Sequence, residues 1–203
     1  MPSLAKPQDR VVFGKTLLVF QKAPSAQPSA GSSIDHIGFS FADLDVKMKE
    51  FEAAGIKVLT PVRAMPGVFK LAFIEDPWGV KIEMVQDSET LGFHHVHLFV
   101  PDPEESFKWY LHSFGGERTK LKGRLDAMKY GDVWLLAQKG EPVAPSAGHA
   151  IDHIGWRAEN LDATARELKA KGVTFTSEPR PFNALRIAFV QGPAGVRIEL
   201  VQR

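Results

Sequence analysis

Residues 34–54 read IDHIGFSFADLDVKMKEFEAA, and residues 151–171 read IDHIGWRAENLDATARELKAK. Each stretch runs on to a matching end, DPWGVKIEMVQ at 76–86 and GPAGVRIELVQ at 192–202. The chain is therefore internally duplicated, and repetition constrains a fold before any single residue does. Each copy has one His near its start, His36 or His153, and one Glu near its end, Glu83 or Glu199. The histidines are 117 positions apart (153 − 36) and the glutamates 116 (199 − 83), so the first copy holds one extra loop residue. Upstream, VFGKTLLVFQK at 12–22 matches KYGDVWLLAQK at 129–139 at the same offset of 117. Residues 93–123 have no counterpart, because theirs would fall before or around Met1. The sequence thus reads as about one and a half copies of a larger unit.

The local pattern repeats as well. His95 to Val100 alternates in strand fashion. Asp102 before Pro103 is a helix start, an N-cap acceptor followed by Pro in the first turn. Phe107, Tyr110, Leu111 and Phe114 follow at helical spacing, and Gly115-Gly116 ends the helix. In the last module, Ile151 to Arg157 reads as a strand. Asn160 caps a helix with Leu161, Ala165 and Leu168 on one face, Gly172 closes it, and three strands follow. Each module reads strand–helix–strand–strand–strand, an α+β pattern.

Composition narrows the function classes. The 203 residues are 44% hydrophobic, ample for a sizeable core. There is no cysteine, which excludes disulfides, thiolate metal sites and cysteine nucleophiles. Lys plus Arg number 25 against 24 Asp plus Glu, with both signs interspersed. Nucleic-acid binding needs concentrated positive charge, so no such partner is expected. No apolar run approaches the roughly 20 residues of a membrane span, and MPSLAKPQDR has no apolar segment of signal-peptide type. The expectation is a cytoplasmic protein with a small-molecule substrate and no membrane partner.

Three stretches carry a resemblance: HHVHLFVPDPEESFKWYLHSFGGE, IDHIGWRAENLDATARELKAKGV and IAFVQGPAGVRIELV. The chain resembles the vicinal oxygen chelate superfamily, which includes glyoxalase I, extradiol dioxygenases, fosfomycin-resistance enzymes and bleomycin-binding proteins. The resemblance implies curved, open-barrel mixed sheets built from the repeated modules. Residues 91–203 then look like one complete two-module domain, and 1–90 like a second whose first module is partial. It also implies a divalent metal (Zn, Ni, Mn, Co or Fe) in the concave face, held by the first strand of each module and the final strand. Carried onto 91–203, those positions are His95, His153 and Glu199. Two imidazoles and a carboxylate leave coordination positions open for water and a substrate with vicinal oxygens.

Other residues are ranked around that trio. His97 shares the face of His95 and is assigned a catalytic or substrate-contacting role. Arg157 and Arg197 share faces with His153 and Glu199 and are candidate substrate contacts at the rim. His94 is expected on the opposite face, as a structural residue. His36 and Glu83 form a lone pair whose third ligand lies before the chain, unless a second subunit or a rearranged pairing of modules supplies it. Glyoxalase I has a fourth ligand, a Glu on the last strand of its first module. Here that stretch is Val133 to Ala137, and Trp134 or a neighbour takes the place, so Trp134 is a further candidate substrate contact. Extradiol dioxygenases place a Tyr ten residues before the Glu, where this chain has Phe189 and Phe73. A glyoxalase-like lyase or isomerase and a ring-cleaving dioxygenase thus compete, beside a metal-free binding protein. The exposed sheet edge of the partial copy is expected to be covered by the complete domain or by a second subunit, as in a homodimer.

Overall fold

The structure is a computed structural model that describes residues 3–5, 9–141 and 144–203. Its elements are β1 (Ser3–Ala5), β2 (Arg10–Phe13), β3 (Thr16–Val19), β4 (Ile34–Ser40), α1 (Leu44–Ala53), β5 (Lys57–Met65), β6 (Phe69–Glu75) and β7 (Lys81–Gln86). Then follow β8 (Gly92–Val100), α2 (Pro103–Phe114), β9 (Glu117–Leu121), β10 (Leu125–Tyr130) and β11 (Val133–Lys139). The last module is β12 (Ile154–Arg157), α3 (Leu161–Ala170), β13 (Phe175–Phe182), β14 (Leu185–Gln191) and β15 (Arg197–Gln202).

The three helices start by one device. The side chains of Asp43, Asp102 and Asn160 accept from the backbone N–H groups of Val46, Glu105 and Ala163, satisfying a donor that the first turn leaves free. Gly115 (φ 68°) ends α2 in a backbone conformation that a side chain would strain.

Modules combine through their first strands. β4 and β8 run antiparallel at the centre of an eight-stranded sheet of order β5-β6-β7-β4-β8-β11-β10-β9. The last module forms its own four-stranded sheet, β12-β15-β14-β13, and β1-β2-β3 form a third. The expected boundary at 90/91 lies in the connection between β7 and β8, which belong to the same eight-stranded sheet. Sequence equivalence makes β4 and β12 interchangeable as partners for β8; the hydrogen-bonded register joins β8 to β4, from Ile34 against Leu98 to Ser40 against Gly92.

That register contains two bulges. Ile34 faces Leu98 while His36 faces His97, so Asp35 is an extra residue in β4. Gly38 faces His95 while Phe39 faces Phe93, so His94 is an extra residue in β8. Each bulge reverses the alternation beyond it. Ile34 and Phe93 thereby join Val96, Leu98 and Val100 in the helix-side core, beneath Phe107 and Tyr110 of α2 and Leu161 and Leu168 of α3. His36, His95 and His97 turn to the other, concave face.

The partial first copy docks as the complete one does. Phe13 lies 5.2 Å from Phe39, and the equivalent Tyr130 lies 5.3 Å from Trp156. Val19 and Phe20, at the end of that small sheet, remain exposed.

Leu98 sits in the central seam, fully buried, opposite Ile34. Leu98→Ala is expected to lower unfolding free energy by about 2–5 kcal/mol, the usual cost of emptying such a site. Urea denaturation followed by circular dichroism measures it, with an unchanged slope showing that only stability moved.

Candidate metal centre

The local frame around each repeated His is built twice from the same parts. His36 Nδ1 lies 2.6 Å from Asp35 Oδ1, and His153 Nδ1 lies 2.6 Å from Asp152 Oδ1. Asp35 is fixed by Gly31 N (2.8 Å) and Lys81 Nζ (2.6 Å), and Asp152 by Gly148 N (2.7 Å) and an Arg197 guanidinium nitrogen (2.9 Å). Ser29 Oγ donates to the Asp35 carbonyl, and Ser146 Oγ to that of Asp152. A carboxylate on Nδ1 leaves Nε2 as the outward atom of each ring, the arrangement commonly found behind a metal-bound His.

Only one frame is completed. Among the described residues, one group of four can share an ion: His36, Glu83, His95 and His97, with ligand atoms all within 4.8 Å of one another. His36 Nε2 lies 3.1 Å from Glu83 Oε2 and 3.1 Å from His97 Nδ1, and His95 Nε2 lies 3.0 Å from Glu83 Oε2. β7 runs parallel to β4 and sets Glu83 beside Gly38. β8 runs antiparallel on the other side and sets His95 over the same glycine. A Cβ at Gly38 would come within 2.1 Å of the His95 ring, so this position needs a bare backbone.

The expected trio is not brought together. His95 lies in this cluster because β8 pairs with β4 rather than with β12. His153 and Glu199 remain a pair on the four-stranded sheet, 3.5 Å apart and partly exposed. The glycine equivalent to Gly38 is Gly155, which faces only Glu199 at 3.6 Å or more and carries no incoming ring. His36 and Glu83, which pairing by sequence alone leaves without a third partner, lie beside His95 and His97 through the β4–β8 pairing. Arg197 donates to Asp152 and stacks over Phe189 at 4.0 Å, so its guanidinium is engaged in the frame instead of standing free at a rim. Arg157 is exposed at the end of β12. Trp134 sits beside His95 in the parallel β8–β11 ladder, and its buried indole N–H has no partner. Leu136, two residues further along the same strand, pairs with His97. His94 does not face away: the bulge brings its Nδ1 to 2.8 Å from His95 Nδ1.

The charge state follows from burial and neighbours. Burial works against a charged His36 ring, but Asp35 and Glu83 outweigh it and raise its pKa above the ordinary 6.5. Burial works against the Glu83 carboxylate too, yet the hydrogen bond from His36 and the nearby His95 ring hold its pKa below the usual range. His97 is driven well down, by burial first and then by the positive field of His36 and His95. His153 is raised to about 9, where Asp152 and Glu199 overcome its burial.

A cation fits this donor set. His95 Nε2 is within 3.0 Å of a carboxylate oxygen yet out of line for a hydrogen bond, so it is buried without a partner. Two bonds of about 2.1 Å at a tetrahedral angle separate donor atoms by about 3.4 Å, close to the spacings here. Imidazole and carboxylate donors suit Zn, Ni, Mn, Co or Fe.

Comparisons with known proteins agree with this architecture. A model of the Glyoxalase/Bleomycin resistance protein/Dioxygenase superfamily matches residues 14–84 and 92–200. A "Probable lactoylglutathione lyase" of Vibrio cholerae is 32% identical over 121 residues, covering 53% of this chain and 88% of that protein. A chloroplastic protein of the same description from Arabidopsis thaliana is 29% identical over 164 residues, or 74% of this chain; the chain spans 47% of that protein. Glyoxalase I from Zea mays superposes with a TM-score of 0.65 at 17% identity, over 84% of this chain and 68% of that one.

Two outcomes are expected. Gly38→Ala displaces His95 and abolishes tight Zn(II) binding, whereas Gly155→Ala leaves binding intact and stability within about 0.5 kcal/mol; chelator competition and urea titration measure the two. Because the raised pKa of His36 keeps a proton on the metal-free ring near neutral pH, metal binding should expel it. Calorimetry in buffers of different ionisation enthalpy should therefore record proton release, and affinity should rise as pH climbs above 6.5.

Proposed function

The chain belongs to the Glyoxalase/Bleomycin resistance protein/Dioxygenase superfamily, and we propose that it acts there as a divalent-metal-dependent lyase of the glyoxalase type. Its substrate is a small molecule that presents vicinal oxygens. The observation that carries this reading is the convergence of His36, Glu83 and His95 across the β4–β8 seam, with His95 Nε2 left without a hydrogen-bond partner. These three residues would hold the metal, which supplies Lewis-acid polarisation of adjacent oxygens.

The chain's own groups account for the rest. His97 is the least enclosed of the four, and its ring lies against His36. Its ring is neutral, with a nitrogen that could take a proton from a carbon beside a polarised oxygen and return it to the neighbouring carbon. Such a transfer balances without an oxidant. Trp134 offers an unpaired N–H to a substrate oxygen. Leu121, Ala127, Leu136 and Phe69 form an apolar wall around it that excludes water. The names of the curated relatives support thioester-forming chemistry on a glutathione adduct as the first substrate to test.

The ring-cleaving alternative finds less support. Phe73, which pairs with Glu83, packs edge-on to His36 at 5.2 Å and has no phenolic oxygen.

The test is turnover of the glutathione–methylglyoxal adduct by metal-loaded protein, beside oxygen uptake with Fe(II) and catechols. His95→Ala is expected to lose the metal, and His153→Ala to retain it. His97→Ala is expected to keep the metal and lower turnover by about 10²–10⁴-fold. Catechol-dependent oxygen uptake would replace this reading with the dioxygenase one, and protein that retains no divalent metal would leave only a binding role.

A further inference from the structure

Behind His95 the structure holds a chain of buried groups that the metal reading leaves unused. His94 and Asp87 are both buried, His94 completely. His94 Nδ1 lies 2.8 Å from His95 Nδ1, and His94 Nε2 lies 3.3 Å from Asp87 Oδ2. Asp87 is anchored in turn by Lys122 Nζ at 2.7 Å and by the backbone N–H of Glu89 at 3.0 Å. Phe69 packs edge-on to the His94 ring at 5.8 Å.

Hydrogen-bond logic orders the protons along this chain. Asp87 accepts only, so His94 Nε2 must carry the hydrogen that bridges to it. A neutral His94 then has a bare Nδ1, which can only accept. His95 Nδ1 must therefore donate to it, and His95 Nε2 is left with a lone pair. That lone pair looks toward Glu83 Oε2, 3.0 Å away, with no aligned hydrogen between the two. Two lone pairs at that distance repel unless a cation lies between them.

We propose that His94 and Asp87 are positioning residues that fix the Nδ1–H tautomer of His95 and so present its Nε2 as a metal ligand. The inference rests on the metal-dependent function proposed for the cluster and deepens it. Its origin is the β-bulge. An unbulged β8 would point His94 into the helix-side core; the extra residue swings its ring beside His95. The bulge at Asp35 does the same for His36, with a carboxylate in direct contact. The two ligands are thus oriented by the residue immediately before each. At His36 the negative charge is adjacent, while at His95 it stands one imidazole further away.

The experiment uses the whole protein and Zn(II) alone as the probe. Nitrogen NMR of the imidazoles in the unaltered Zn(II)-loaded protein is expected to show His95 bound through Nε2 with a proton on Nδ1. His94→Phe fills similar space without a ring nitrogen and is expected to weaken Zn(II) binding by about 10–100-fold in chelator competition. His94→Asn restores an acceptor near the Nδ1 position and is expected to recover most of that loss, which a purely packing role would not produce. Zn(II) bound through His95 Nδ1, or unchanged affinity in a folded His94→Phe, would overturn the relay while leaving the metal site standing. Failure of the unaltered protein to bind Zn(II) would overturn both.

Discussion

Between β4 and β8, the registered pair Ile37–Val96 is flanked by His36 against His97 and Gly38 against His95. This short antiparallel seam is what the concave face depends on. It brings polar side chains of two modules together, and Gly38 leaves the space that the His95 ring occupies. The parallel ladders on either side then fix what stands next to the seam: Glu83 from β7, and Trp134 and Leu136 from β11. The polar cluster is expensive to bury, and its cost is offset by mutual pairing and, in the proposed metal-loaded state, by a cation.

Much of the architecture is legible in the sequence because duplication is robust to local error. The module order, the caps at Asp102 and Asn160 and the apolar faces of α2 and α3 all follow from residue spacing. The candidate residue types are also legible, since His36 and Glu83 occupy repeated places and His95 stands where the family resemblance implies a ligand. What the sequence does not supply is which module pairs with which. The first strands of the two IDHIG blocks are near-identical in pattern, and the choice between them as partner for β8 is made by long-range packing. Sequence alone therefore assigns His95 to His153 and Glu199, where folding assigns it to His36 and Glu83.

The bulges are hidden for a different reason. A strand read at period 2 sends His94 and His95 to opposite faces, and one inserted residue breaks that rule without leaving a compositional mark. A signal does exist in hindsight. With strict alternation, Phe93 would share a face with His95 and His97, and Ile34 with His36. Apolar and polar residues crowding one face argue for a register break between them, and in both strands the break falls on the residue before the ligand.

The last module shows what the seam contributes by lacking one. It retains the whole local frame: Asp152 on His153, Arg197 in place of Lys81, Ser146 in place of Ser29, and Glu199 opposite. Yet among the described residues no strand crosses Gly155, and the pair settles into an ion pair, with the His153 pKa raised to about 9 by Asp152 and then Glu199. That contact stabilises the fold below the ordinary histidine range and is lost as pH rises through 9. In the completed cluster His36 keeps a raised pKa, while burial first and then the field of His36 hold those of His95 and His97 down. The same half-frame therefore yields a partly exposed ion pair in one sheet and a buried four-residue cluster in the other, and the difference lies in the strand laid across the glycine.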